Sequence, residues 1–296
     1  MTFLVYLPLL LPVALALIAR LLPAGARPEL AARVLATCGV LTAAVSTGCL
    51  ALLALTALDD LPAMEVRERT AAFPLPEPVP GAVAVGAGLL LVAAAWSVVR
   101  DLRRRRAVVA DLHAAGAPHD GLLVADWTEP HAVAVPPAGA GGPGHILVTS
   151  GLLRLIDAAE WRAVAAHERA HLRRRHHRTV ALATTAAAVN PLLRPVAGAV
   201  ALLVERSADE DAVAAVGDRH MVARAIAKVA LAGGSRTGTL GAGGSDVVRR
   251  VAALTRPVTQ GSWAGLALAA AIVLGSASAG VAALADFVRV ALIWIS

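Results

Sequence analysis

Residues 157–178 read DAAEWRAVAAHERAHLRRRHHR, and the five at the centre, His167-Glu168-Arg169-Ala170-His171, decide how the rest of the chain is read. The stretch is rich in helix formers. Asp157 followed three residues later by Glu160 is a variant of the capping box, which predicts a helix starting near Ala158. On that helix two histidines four apart share one face, so both imidazoles reach a single ion and Glu168 points to nearly the same place. A catalytic zinc takes three protein ligands and a water, so one ligand has to come from another part of the chain.

Downstream, Glu205-Arg206-Ser207-Ala208-Asp209 offers it. Glu205 and Asp209 are also four apart: the first is a carboxylate ligand, and the second can hold the outer ring nitrogen of a ligating histidine. The plain alternative is an acidic, solvated helix end. Between the two motifs lies TVALATTAAAVNPLLRPVAGAVALLVE, apolar but broken at Asn190-Pro191 and Arg194-Pro195. Each arm is about ten residues, half of what a membrane span needs. The pattern predicts a helical hairpin over 179–204 that either dips toward a membrane or packs beneath the domain, and that brings Glu205 back to the histidines.

The composition places this machinery beside a bilayer. With 57% hydrophobic and 16% charged residues and a mean hydropathy of +0.68, the chain is more apolar than a soluble domain, whose apolar share is about 45–50%. Four windows lack charge and approach or exceed the length of a span: Phe3 to Ala19, Val34 to Leu58, Gly81 to Val99 and Trp263 to Ala285. Nothing basic precedes the first, which reads as a retained anchor and not as a cleaved signal. Arginines 20, 27 and 33 follow the first window, whereas Asp59, Asp60, Glu65, Glu68 and Glu77 follow the second. By the positive-inside rule, residues 100–262 face the cytoplasm of a multi-pass cell-membrane protein with both termini outside.

The net charge of +6 comes from arginines clustered where spans end, so topology explains it and no nucleic-acid partner is expected. Cys38 and Cys49 both fall in the second window and read as packing residues. No ionisable group inside the windows marks a transport path. The small residues Gly39, Ser46, Thr47, Gly48, Gly81, Gly86 and Gly88 suit close helix contact. Residues 100–120 read as a helix leaving the membrane. Leu122 to Asp126, His131 to Val135 and His145 to Thr149 read as strands of a small antiparallel sheet. Its last strand leads toward the motif helix, and the sheet either holds a substrate backbone by strand addition at an exposed edge beside the metal or only supports the helix. The arginines of 173–178 read as lipid-headgroup or solvent contacts. His113, His119, His131, His145, His176, His177 and His220 read as surface or loop residues, His176 turned away from the pair by its five-residue offset from His171. Arg219 and His220 are weak candidates for stabilising an oxyanion.

The order of spans, VTSGLL, AVAAHERAH, apolar hairpin, ERSAD and RVAALTRP resembles the membrane-embedded gluzincin zinc peptidases over residues 80–296. Two branches are close: the beta-lactam sensor-transducer type (BlaR/MecR-like) and the heat-shock or CAAX-prenyl protease type (HtpX-like). The resemblance implies one Zn2+ held by His167, His171 and Glu205, with Glu168 as general base and Asp209 supporting the ligands. The expected fold is a mostly α membrane protein, with about four transmembrane helices and a cytoplasmic zincin-like α+β metallopeptidase domain containing a small sheet. Residues 1–99 carry three spans, 100–262 the peptidase domain with the hairpin at 179–204, and 263–296 the last span and tail. The expected substrate is a protein or peptide, such as a transcriptional repressor or a membrane protein. A catalytically silent metal-binding signalling scaffold is the alternative.

Overall fold

The computed structural model describes residues 7–21, 27–55, 80–139, 142–233 and 243–255, with isolated positions between 267 and 278. Helices dominate: α1 (Leu7–Leu21), α2 (Pro28–Leu55), α3 (Gly81–Ala114), α4 (Ser150–Leu155), α5 (Ala158–Arg173), α6 (His176–Val189), α7 (Arg194–Val216), α8 (Arg219–Gly233) and α9 (Gly243–Thr255). Three strands, β1 (Leu122–Ala125), β2 (Ala132–Val135) and β3 (His145–Thr149), lie between α3 and α4.

Two of the four expected spans correspond to helices long and apolar enough to cross a membrane, α2 and α3. Only 11% of the apolar window of α3 is buried, and Leu89, Leu90, Val92 and Trp96 stand outward, as a lipid-facing helix requires. α3 then continues without a break into the basic stretch and ends at Ala114. α1 has 15 described residues, fewer than the ~20 of a full span. The window Trp263 to Ala285 falls largely outside the described residues, although Val273 joins the core formed by α1, α2, α6 and α7.

That core contains the hairpin. Ala183 and Ala186 of α6 and Val196, Val200 and Leu203 of α7 pack on Leu15 of α1 and on Ala32, Leu35 and Ala36 of α2. Asn190, at the turn, caps Leu192 at 3.1 Å and donates from Nδ2 to Ser46 Oγ at 3.4 Å, while Arg174 just before α6 pairs with Glu29. At 1.5 Å per residue the hairpin tip lies about 25 Å along α2 from Glu29. It therefore runs alongside α2, within the apolar cluster that it shares with α1 and α2. Its second arm does not stop at 204, because α7 carries on unbroken to Val216. Gly39 faces the hairpin, 3.7 Å from Val196 and 3.8 Å from Ala186 for an added Cβ, whereas Gly48, Gly86 and Gly88 have nothing within 4 Å. Of those four glycines, Gly39 alone sits at a helix contact.

The sheet order is β1-β3-β2, with β1 parallel to β3 and β2 antiparallel to it. The expectation of a wholly antiparallel sheet is therefore corrected. The cause is the loop after β1, which wraps the end of β3: Thr149 Oγ1 accepts the amide of His131 at 2.9 Å and donates to Glu129 O at 2.6 Å. Gly151 N–H reaches Trp127 O at 2.9 Å, and a Cβ there would lie 2.0 Å from Thr128 O, so only glycine fits. All five residues of β3 are buried, the apolar Ile146 to Val148 and the polar His145 and Thr149 at its ends alike, as a central strand is. β2 is left as an edge. A second core, from Val148, Leu152, Val164, Ala212, Val222 and Leu254, joins the sheet to α4, α5, α7, α8 and α9.

Candidate metal centre

α5 begins where its capping box places it. Asp157 Oδ1 accepts the amides of Ala159 and Glu160 at 2.8 Å each, and Glu160 Oε2 accepts that of Asp157 at 3.0 Å. Glu160 also takes Lys228 Nζ at 2.7 Å, which ties the start of α5 to α8. At its other end Arg174 binds Asp211 through Nε at 2.5 Å and Nη2 at 2.8 Å, and Arg173 binds the same carboxylate at 2.7 Å. Both arginines hold α7, and Arg174 also holds α2 through Glu29.

Clamped in this way, α5 and α7 bring the two motifs together. His167 Nε2 and His171 Nε2 are 3.1 Å apart, with Glu205 Oε2 3.4 Å from the first and Oε1 3.6 Å from the second. Donors on a tetrahedron with bonds of ~2.0–2.1 Å sit about 3.3–3.4 Å apart, so the spacing and the N, N, O donor set fit zinc. Among the described residues, these three form the one group of His, Cys, Asp and Glu able to hold a metal. His167 Nδ1 lies 3.0 Å from Asp209 Oδ1. The carboxylate favours the proton on that nitrogen by its charge, without the alignment of a hydrogen bond, and leaves the Nε2 lone pair for the centre.

Arg250, one of the arginines that stand ahead of the Trp263 to Ala285 window, lies on α9. It donates to Asp209 through Nε at 2.9 Å and Nη2 at 2.7 Å, and its Nη1 lies 2.9 Å from Glu205 Oε2. One guanidinium thus spans both carboxylates. Nothing in the RR pair at 249 and 250 distinguished it, since the helix face is set by tertiary packing. Arg219 is engaged elsewhere, on Glu210 at 2.7 and 2.8 Å and on Leu254 O at 3.0 Å, and His220 is exposed. Neither reaches the centre.

Two histidines read as surface residues are buried. His145, on the central strand, meets His113 edge-on at 5.8 Å. His176 is 3% exposed, and its Nδ1 lies 3.2 Å from Nδ1 of His171. The five-residue offset misled because the helix does not continue: Arg175 adopts φ 52° and ψ 42°, and α6 restarts with His176 folded back onto α5.

Glu168 faces the backbone amide of Ala134 on β2, and burial raises its pKa above the usual carboxylate range. It borders a cavity of about 210 Å3 lined by Ala132, Val164, Val222, Ile226 and Val229, with His167, Glu205 and Arg250 at one end. A hollow of about 360 Å3 on the other side of α5 contains none of the site residues.

With no metal bound, burial opposes the charge on His167, but hydrogen bonds to Asp209 and Glu205 outweigh it and raise its pKa to about 10. Burial likewise opposes ionisation of Glu205, and the contact with His167 reverses this, bringing it to about 2. Burial lowers His171 and His176 to about 4 each. The linkage has a definite sign. Stability from His167 is full below pH 6.5 and is lost as pH rises through about 10, while that from Glu205 is full above 4.5 and is lost as pH falls toward 2. The unfolding midpoint of chelator-treated protein therefore falls as pH rises from 6.5 to 10, and His167→Ala flattens that slope. Zinc affinity has the opposite sign, rising over the same range as His167 loses its proton.

Two helices thus set His167, His171 and Glu205 where they could hold one metal ion, with Glu168 next to them at the same cavity. Residues 98–202 match the model of peptidase family M48, which runs from the middle of α3 through the sheet and α5 into α7. The match makes this part of the chain similar to a family of zinc-dependent metallopeptidases; it ends three residues short of Glu205. No curated protein and no solved structure matches the chain.

Proposed function

We propose that the chain is an integral-membrane zinc metalloendopeptidase that hydrolyses peptide bonds of protein substrates at the cytoplasmic membrane face. The observation that carries this reading is the convergence of His167, His171 and Glu205 at zinc-ligand spacing, with Glu168 half-buried beside them on a largely apolar cavity. The membrane part rests on α2 and α3, on the apolar layer shared with the hairpin, and on the arginines that flank the peptidase domain.

His167, His171 and Glu205 would hold the ion, which lowers the pKa of a bound water toward ~7 and polarises the scissile carbonyl. Glu168 takes the proton from the attacking water and passes it to the leaving amine, and burial strengthens it as a base. The outer edge of β2, where the Ala134 amide is turned to Glu168, offers its other backbone groups to an extended peptide. The cavity takes an apolar side chain beside the scissile bond. A silent scaffold has no use for a basic carboxylate at this position.

Comparing protein fragments from the membranes and cytoplasm of wild-type and Glu168→Gln cells tests the reading. New chain ends that depend on Glu168 support proteolysis and identify the substrate, be it a repressor or a membrane protein. Identical fragment sets in the two strains argue for the scaffold.

A further inference from the structure

The left-handed region is unfavourable for a non-glycine residue, and such strain is kept where the surroundings impose it. Arg175, with φ 52° and ψ 42°, sits at the break between α5 and α6. The break has one local consequence: His176 turns back, so that its ring packs edge-on against that of His171, 4.9 Å between centroids. We propose that His176 is a positioning residue for the metal ligand His171, and that the left-handed turn at Arg175 exists to place it. The proposal rests on the zinc-site reading above.

The hydrogen-bond inventory fixes the roles of the two rings. His171 can present its Nε2 lone pair to an ion only if its proton is on Nδ1, and that nitrogen points at His176 Nδ1, 3.2 Å away. His176 must then accept at Nδ1 and carry its own proton on Nε2, an atom that is buried with no hydrogen-bond partner. Each ligating histidine thus has its own outer partner: Asp209 for His167, and His176 for His171. The pairing is asymmetric, a carboxylate on one side and a neutral ring on the other.

The test is zinc affinity in the full-length detergent-solubilised protein, measured by competition with a chelator of known affinity. His176→Leu fills the space without an acceptor and should weaken zinc binding about 10–100-fold, the usual effect of removing an outer-sphere partner. His176→Asn puts an oxygen close to the position of Nδ1 and should stay within about threefold of wild type. Arg175→Gly, which adopts the same turn without strain, should bind zinc as wild type does. Wild-type affinity in His176→Leu, or equal losses in the Leu and Asn variants, overturns the assignment, the second because it would mean packing alone. No zinc bound by the wild type overturns the metal-site reading itself, and the assignment with it.

Discussion

Replacing Glu168 with Gln lowers the turnover of a cleaved protein substrate by about 10²–10⁴-fold while zinc binding stays at the wild-type level. The loss corresponds to about 2.7–5.5 kcal/mol of transition-state stabilisation. Gln matches Glu in volume, so the cavity walls at Val164, Val222 and Ile226 are undisturbed, and its carbonyl oxygen can still face the Ala134 amide. What it lacks is a proton-accepting carboxylate at a position where burial keeps the acid form weak. Single-turnover cleavage of a matched substrate, with zinc content determined on the same sample, separates loss of the base from loss of the metal. Cleavage at the wild-type rate by the Gln variant means that another group accepts the proton.

The second large effect is expected at Arg250. Arg250→Met keeps the length and apolar stem of the side chain and removes a guanidinium whose three nitrogens contact Asp209 and Glu205 at 2.7–2.9 Å. Two carboxylates, one of them almost fully buried, then face each other without their shared cation. Breaking a buried pair from one side costs about 3–5 kcal/mol. The expected outcome is a lower unfolding midpoint together with zinc binding weakened about 10–100-fold, because Asp209 no longer holds His167 in register. Arg250→Lys should recover only part of this, since one ammonium cannot reproduce the two-pronged contact. Combining Arg250→Met with Asp209→Leu should cost less than the sum of the single changes, as partners in one network do. Additive losses would show that the two side chains act independently.

The legible part of this molecule was local. The Asp157–Glu160 box, the i, i+4 histidines and the i, i+4 pair Glu205 and Asp209 are written in helical spacing, and these four side chains, His167, His171, Glu205 and Asp209, come together from the faces that the spacing gives them. Gly217 likewise ends α7 with a φ of 81°, as a glycine after a helix should. What the sequence did not disclose depends on tertiary geometry. Arg250 joins the site only because α9 packs on α7 and α8, and His176 joins it only because a single arginine turns left-handed. The sheet differs from expectation because side-chain contacts of Thr149 fold the preceding loop around β3, a contact 18 to 20 residues away in sequence that no strand pattern encodes. The apolar hairpin was ambiguous between membrane and domain because both environments select the same residues; the bonds from Asn190 to Ser46 and from Arg174 to Glu29 resolve its position along α2.

The joining of HERAH to ERSAD is measured by zinc per chain. Purified in detergent and equilibrated with a competing chelator, the wild type and Glu168→Gln should each retain one zinc, and Glu205→Ala should lose it under the same conditions along with His167→Ala and His171→Ala. A Glu205→Ala protein that keeps one zinc as tightly as the wild type would mean that the hairpin returns no ligand to the two histidines.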